Sequence, residues 1–444
     1  MDAQILNLLI GSASVLLVGG AILIFLVIKK LAPSSGLVGR AKWLMVGAFS
    51  FAIVAISVKL TAIGVLSTIK PRALLEMTSA ADLKPMPVND ERNTDVFRGS
   101  QVFTARPVWQ ALPDVAPAPA DNPTTPEKVM LGRLLFFDVS LSGDRTVACA
   151  SCHDVFGLAG GDGRSTSLGI KHQVGGRNAP TVWNAAFQAK LFWDGRAASL
   201  EEQAKGPPLN PIEMGMPSPE AIAARVRENP EYRAQFAKVF GKDAPITYDL
   251  IAKAIAAYER TLITPDTPYD RFVKGDAKAL TPAQLRGMAL FQSAGCIHCH
   301  SGPNFSGASV FDDQAPFRTF PSNPVPQYEA RYNLLADRGA DPTAERGMWR
   351  VPSLRNVALT GPYLHNGSVR DLAEVVRIMS SAQLGMPRAS SSARPQLVGY
   401  FSEREKVLNN VARAPLREDE VADIVAFLKA LSSDSLVARV KRGG

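Results

Sequence analysis

Cys149-Ala150-Ser151-Cys152-His153 and Cys296-Ile297-His298-Cys299-His300 contain every cysteine of the 444-residue chain. Two thiols at this spacing, followed at once by a histidine, suit one helical turn that bonds both vinyl groups of a porphyrin while the histidine ligates its iron. That is a haem c attachment sequence, and two copies with no cysteine left over point to a protein built around two covalently bound haem c groups. Each haem then supplies much of the core of its own unit. A pair of disulfides is the competing reading, open to a chain in an oxidising compartment, but it leaves His153 and His300 without a reason. Zinc competes less well, because an immediately following histidine is not the usual zinc spacing.

The length leaves room for two or three domains, and 46% hydrophobic residues are enough to bury real cores. A net charge of +8 raises the question of nucleic acid. The basic residues are scattered among acids and no aromatic-basic binding module is present, so no nucleic acid partner is expected. The charge reads equally as a solvated face or as a docking patch for an acidic electron donor.

Residues 5–28 form an uncharged apolar stretch long enough to cross a bilayer, and 43–66 form a second, broken only by Lys59 near its end. The loop between them carries Lys29, Lys30, Arg40 and Lys42, which the positive-inside rule places in the cytoplasm. The expectation is a transmembrane hairpin anchor over 1–67 in the inner membrane, with the haem region on the periplasmic side. Met1-Asp2-Ala3-Gln4 lacks the positive start of a cleaved secretory signal, which agrees with a retained anchor. A variant has the second stretch alone as a signal anchor.

From 68 to 121 the chain is rich in Pro and Ala and reads as a tether that could also wrap the folded part. An internal repeat follows. Thr125-Pro126 opens one amphipathic stretch ending in Leu134-Leu135-Phe136-Phe137, and Thr281-Pro282 opens another ending in Leu290-Phe291. Threonine as N-cap with proline next is a helix start, and Gln284 completes a capping box in the second copy. Each predicted helix precedes a haem motif. The segment 418–431 puts Val421, Ile424, Val425, Leu428 and Leu431 on one face, as a docking helix that closes the second unit. The fold class expected is mainly α: two cytochrome c-like haem domains, 122–270 and 271–435, with long loops and few strands, after the anchor. The Gly-rich segment 157–176 must be a loop beside the first haem.

His153 and His300 are the proximal ligands, each positioned by its own two thioethers. What distinguishes the haems is the sixth ligand: a permanent one suits electron transfer, a vacant or labile one lets iron bind a small molecule. His298 sits inside its own motif, faces away from the haem and is expected at the surface.

Several longer motifs flank these sites: Leu135-Phe136-Phe137-Asp138, Arg177-Asn178-Ala179-Pro180-Thr181-Val182, Phe192-Trp193-Asp194-Gly195-Arg196-Ala197, Asn210-Pro211-Ile212-Glu213-Met214-Gly215 and Val351-Pro352-Ser353-Leu354-Arg355-Asn356, followed by Pro362-Tyr363-Leu364-His365. With them the stretch 125–431 resembles the bacterial di-haem cytochrome c peroxidases. The resemblance implies that the first haem is peroxidatic and that the second, of higher potential, feeds it electrons. It implies Glu213 as catalytic acid/base with Gln203 as companion, and Trp193 as the aromatic between the haems. Peroxide must lose a proton from the oxygen that binds iron, and the departing oxygen must gain one, so a single carboxyl can serve both transfers. It further implies Asn178, Thr360 and Pro362 as oxygen ligands of a calcium ion, and Met379 as axial ligand of the second haem, with Met386 as nearby competitor. His365 corresponds to a family histidine whose usual following Asp is here Asn366.

One departure is marked. The distal histidine of many members falls on Ile170, and His172 lies two residues later. Either the glycine-rich loop carries His172 to the iron, or the iron is open and His172 faces solvent. The implied activity is reduction of hydrogen peroxide to water, with electrons from a cytochrome c, a cupredoxin or membrane quinol. The family also suggests a homodimer. The rivals are a relative that uses peroxide to oxidise a partner protein, which would carry tyrosine in place of Met379, and a plain electron-transfer cytochrome.

Overall fold

In the computed structural model the described residues are 109–311, 316–321, 325–384 and 416–443. In chain order the helices are α1 (Pro126–Phe136), α2 (Cys149–Cys152), α3 (Leu200–Ala204), α4 (Gly206–Leu209), α5 (Pro219–Glu228), α6 (Pro230–Phe240), α7 (Tyr248–Glu259), α8 (Pro268–Val273), α9 (Pro282–Ser293), α10 (Pro326–Tyr332), α11 (Leu372–Leu384), α12 (Glu418–Ala430) and α13 (Asp434–Gly443). The sheet among the described residues is one antiparallel pair, β1 (Phe317–Thr319) and β2 (Met348–Arg350), with Arg318 opposite Trp349. The mainly helical class expected from the sequence is what the structure has.

The helix starts follow local chemistry. Thr125 caps α1 by accepting from the Lys128 N–H. Thr281 and Gln284 form the reciprocal capping box of α9, the Gln284 side chain accepting from the Thr281 N–H at 2.8 Å. Each satisfies backbone donors that a helix end leaves open.

Two helix crossings repeat one another. A Cβ on Gly132 of α1 would run into the Ala254 carbonyl and meet Tyr258 of α7; one on Gly287 of α9 would run into the Asp423 carbonyl and meet Phe427 of α12. Glycine is required at both because the backbones touch. The repeat continues: the left-handed Asn184 donates its N–H to the Leu262 carbonyl at 2.8 Å, and the left-handed Asn356 donates to Leu431 at 3.0 Å. Their side-chain oxygens accept from the N–H groups of Thr264 (2.8 Å) and Ser433 (3.0 Å).

Around the first crossing lies a core of Leu131, Leu135, Phe136, Ile222, Phe236, Ile251 and Ile255. Around the second lies an aromatic one in which Tyr269, Phe291, Phe305 and Phe427 stack edge to face at 4.9 to 6.1 Å. The end of the Pro/Ala-rich stretch packs on these units: Trp109 lies against the aromatic cluster, Leu112 is buried, and its N–H donates to Asp270 at 2.9 Å. Helix α13, beyond the last element read from the sequence, sends Leu436 into the first core.

The membrane expectation is corrected. Among the described residues no helix is long and apolar enough to cross a bilayer. The stretches 5–28 and 43–66, on which the transmembrane hairpin and the inner-membrane placement rested, lie outside the described residues. That placement rested on the hydropathy of the two stretches and the basic loop between them, and no spanning helix among the described residues supports it.

Candidate active site

The first haem motif is one short turn. Cys149 and Cys152 are the two ends of α2, and the His153 N–H closes it on the Cys149 carbonyl at 3.0 Å. The second repeats this with a 3-10 turn, Cys296–His298, and the His300 N–H on the Cys296 carbonyl at 2.9 Å. No disulfide joins any of the four cysteines, which removes the competing covalent reading. Among the described residues no three His, Cys, Asp or Glu side chains converge as a metal cluster.

Both histidines are oriented alike. His153 Nδ1 lies 3.2 Å from the Gly160 carbonyl, and His300 Nδ1 lies 3.2 Å from that of Phe305. A carbonyl can only accept, so Nδ1 carries the proton and Nε2 is left as a neutral lone pair, the form that ligates iron. Burial favours the same state: it pushes the His300 imidazole down to about 4 and lowers that of His153. The residues present therefore fit two c-type haems.

Glu213 follows α4 in a tight turn that Asn210 organises. Asn210 accepts at its carbonyl from the N–H groups of Glu213, Met214 and Gly215, and its Nδ2 donates to Glu213 Oε1 at 2.8 Å. Burial raises the Glu213 carboxyl above the ordinary glutamate range, against the opposing pull of Arg196 and of the Asn210 hydrogen bond. Arg196 itself lies over the Phe192 ring at 3.5 Å and is paired with Asp194 at 2.8 Å. Gln203 is half-buried in α3, the helix that leads into this turn.

The distal loop brings Ile170, not His172, against Glu213. The Ile170 N–H donates to the Glu213 carbonyl at 2.9 Å, and its side chain fills the space where a Cβ on Gly215 would stand. Lys171 and His172 follow at positive φ (53° and 56°), and His172 is exposed.

Trp193 joins the two halves. Its Nε1 donates to the Asn178 carbonyl at 2.9 Å, in the strand of chain that runs on to Pro180 beside His153. Its carbonyl accepts from the Arg350 N–H at 3.0 Å, and its ring packs in the cluster that includes Met379 of α11. Around it Arg177 bridges Asp194 and Asp337, each at 2.6 Å, and lies 5.2 Å over Trp349. Trp349 stacks on the buried His365 at 4.0 Å. Burial takes the His365 imidazole down to about 4. Asn366 donates to the Tyr332 carbonyl at 2.8 Å.

Asn178 is buried and turns its Nδ2 to the Arg164 carbonyl at 2.9 Å, while Thr360 donates its hydroxyl to Val357 at 3.3 Å and Pro362 follows a cis peptide bond. His298 is exposed, as expected, and Met386 lies outside the described residues. The sequence reading quoted Arg177 and Asp194 in its motifs without seeing that they pair, and it missed Asp337 and the Gly160 and Phe305 carbonyls. Asn210 stood in a quoted motif, and its spacing to Glu213 was the available signal.

Comparison with known proteins agrees with this arrangement. A model of the di-haem cytochrome c peroxidase family matches residues 126–278. The cytochrome c peroxidase Ccp of Escherichia coli is 38% identical over 72% of this chain, which spans 61% of that longer relative. Cytochrome c551 peroxidase of Pseudomonas aeruginosa is 37% identical over 74% of this chain and 85% of its own. The crystal structure of a MauG-like protein associated with microbial copper homeostasis superposes with a TM-score of 0.60 at 33% identity, over 74% of this chain and 97% of that one. Identity at this level along most of both chains, on a scaffold whose two histidines already present Nε2 as a ligand, places the chain in the di-haem cytochrome c peroxidase family, as an oxidoreductase acting on peroxide.

Proposed function

We propose that this protein reduces hydrogen peroxide to two waters at the first haem site, with Glu213 as the proton carrier and with electrons entering through the second. Cys149, Cys152 and His153 would hold the first haem, and Cys296, Cys299 and His300, with Met379, would hold the second. The bound haem supplies the redox-active iron that peroxide chemistry requires. Asn210 holds Glu213 Oε1 at 2.8 Å, which leaves Oε2 to take the proton from one peroxide oxygen and return it to the departing one. Gln203 orients peroxide beside it. Ile170 and Phe192 exclude water from this side, and His172 stays at the surface. Trp193 is the aromatic bridge between the halves.

The observation that carries the reading is Glu213 itself. It is a carboxyl whose proton affinity burial has raised, in a turn shaped by Asn210 and closed by Ile170. A small redox protein, a cytochrome c or a cupredoxin, is the proposed donor. Calcium on Asn178, Thr360 and Pro362 belongs to the same proposal and would rest on neutral oxygens and waters.

Glu213→Gln keeps the shape and removes the proton carrier. Both haems are expected to remain attached by pyridine haemochrome assay while peroxide turnover falls by about 10²- to 10⁴-fold. Full activity in that variant would overturn the assignment. A second reading, oxidation of a partner protein, is favoured by the likeness to the MauG-like structure. Met379 opposes it, and a thioether charge-transfer band in the near infrared of the oxidised protein separates the two.

A further inference from the structure

The internal repeat supplies a control for one buried residue. Gly132 meets Tyr258 where Gly287 meets Phe427, and Leu262 accepts from Asn184 where Leu431 accepts from Asn356. The residue after each aromatic is therefore equivalent: Glu259 in the first unit, Leu428 in the second. Both are 4% exposed. The fold asks for leucine there, and the first unit spends a carboxyl.

Arg260 favours the Glu259 charge, but burial outweighs it. Glu259 Oε2 is buried with no hydrogen bond, and so are Arg260 Nη1 and Glu201 Oε2, although Arg260 Nη2 and Glu201 Oε1 pair at 2.6 Å. Glu201 and Arg260 are 8% and 6% exposed. Three buried polar atoms without a protein partner, on Glu259, Arg260 and Glu201, call for water, since buried polar groups are almost always satisfied. The helix that carries Glu259 borders the first haem motif, since Cys149 packs against the core that holds Ile255 and Tyr258.

We propose that Glu259, with Arg260, Glu201 and water held among them, is a proton-uptake site coupled to the charge of the first haem. When that haem gains an electron from a redox-protein donor, one solvent proton forms the O–H bond of the Glu259 carboxyl. Reoxidation releases both, and no other bond is made or broken.

A unit change of charge about 10 Å away, through an effective dielectric of about 20, alters a proton affinity by roughly tenfold. Burial has already pushed the Glu259 carboxyl up to about 8, so such a change acts near neutral pH. The groups whose charge acts on it are Arg260 and Glu201 of α3, and it acts in turn on Cys149 of α2. Lys128 of α1 couples through Arg260 and Glu201, while Arg133 and Arg439 of α13 act on the neighbouring Tyr258. Helix α5 presents the apolar Ile222, Ala223 and Val226. Glu259 is thus a positioning residue acting through the haem, on a readout that a packing role would not move.

The inference rests on the first haem being held at Cys149, Cys152 and His153, and not on Glu213. The test is spectropotentiometry of the full-length holoprotein from pH 6 to 9, following each haem. In wild type the first haem's midpoint is expected to fall with pH by about half a proton per electron at its steepest, around the carboxyl's own titration, as a tenfold change in proton affinity requires. Glu259→Leu, the residue of the repeat, and Glu259→Gln are expected to flatten that dependence, with both haems attached. If Glu259→Leu fails to fold, Glu259→Gln carries the test. An unchanged slope in a variant with both haems overturns this inference alone. A wild-type protein with no haem at the first motif overturns it together with the site assignment above.

Discussion

At the scale of single residues, the candidate site is a set of opposed influences on a few protons. Burial raises Glu213, while Asn210 Nδ2 at 2.8 Å and the charge of Arg196 favour its carboxylate. The carboxylate is the form that takes a proton from peroxide, so activity is lost as pH falls through the raised value. Removing the amide donor lifts that value further. Asn210→Ala is therefore expected to move the acid limb of the kcat/KM profile for peroxide up by about one pH unit, the worth of one charge-assisted hydrogen bond. A limb that stays, or moves down, contradicts the assigned role of the pair. Glu213 and Asn210 were visible as a motif in the sequence. The state of the carboxyl was not, because its desolvation depends on burial by segments such as the turn of Ile170, tens of residues away.

At the scale of elements, the helices were legible where the signal is local. Thr125 and Thr281 start α1 and α9 as their Thr-Pro pairs indicated, and Val421, Ile424 and Leu428 of α12 are buried. What periodicity could not reveal is how closely the helices cross. Gly287 lies against the Asp423 carbonyl, and a methyl group there has nowhere to go because the obstacle is backbone. Gly287→Ala gains helix propensity locally and loses more by separating α9 from α12. A net destabilisation of about 1–3 kcal/mol is expected in denaturant titration of the holoprotein. A stabilised variant would show that the crossing yields easily. The same reasoning covers Gly132 and α7.

At the scale of the whole molecule, long-range polar links tie segments that the sequence left separate. Arg355 and Asp270 form a fully buried bidentate pair, at 2.6 and 2.8 Å, and Asp270 also accepts from Thr267 and from the Leu112 N–H. Burial opposes the Asp270 charge, but Arg355 outweighs it and holds the carboxyl below the usual aspartate range. Its stabilisation is present above the unfolded value near 3.9 and is lost as pH falls through the folded one. Asp270→Asn leaves Arg355 buried and uncompensated, at a cost of about 3–5 kcal/mol at pH 7. Chemical denaturation at pH 7 and pH 3 is expected to show the difference shrinking in acid, and a difference independent of pH would contradict the linkage. By itself the sequence determined the two haem-binding turns, their order, the helix starts and the chemistry of the motifs, because these depend on residues within a few positions of one another. Only the tertiary structure decided that Ile170 rather than His172 closes on Glu213, that Trp193 spans Asn178 and Arg350, that α13 returns to the first core, and that Glu259 stands where the repeat has leucine. The first three are contacts between distant segments, whose energies exist only once the chain has closed and water has been excluded, and the fourth emerges only when the two helix crossings are compared.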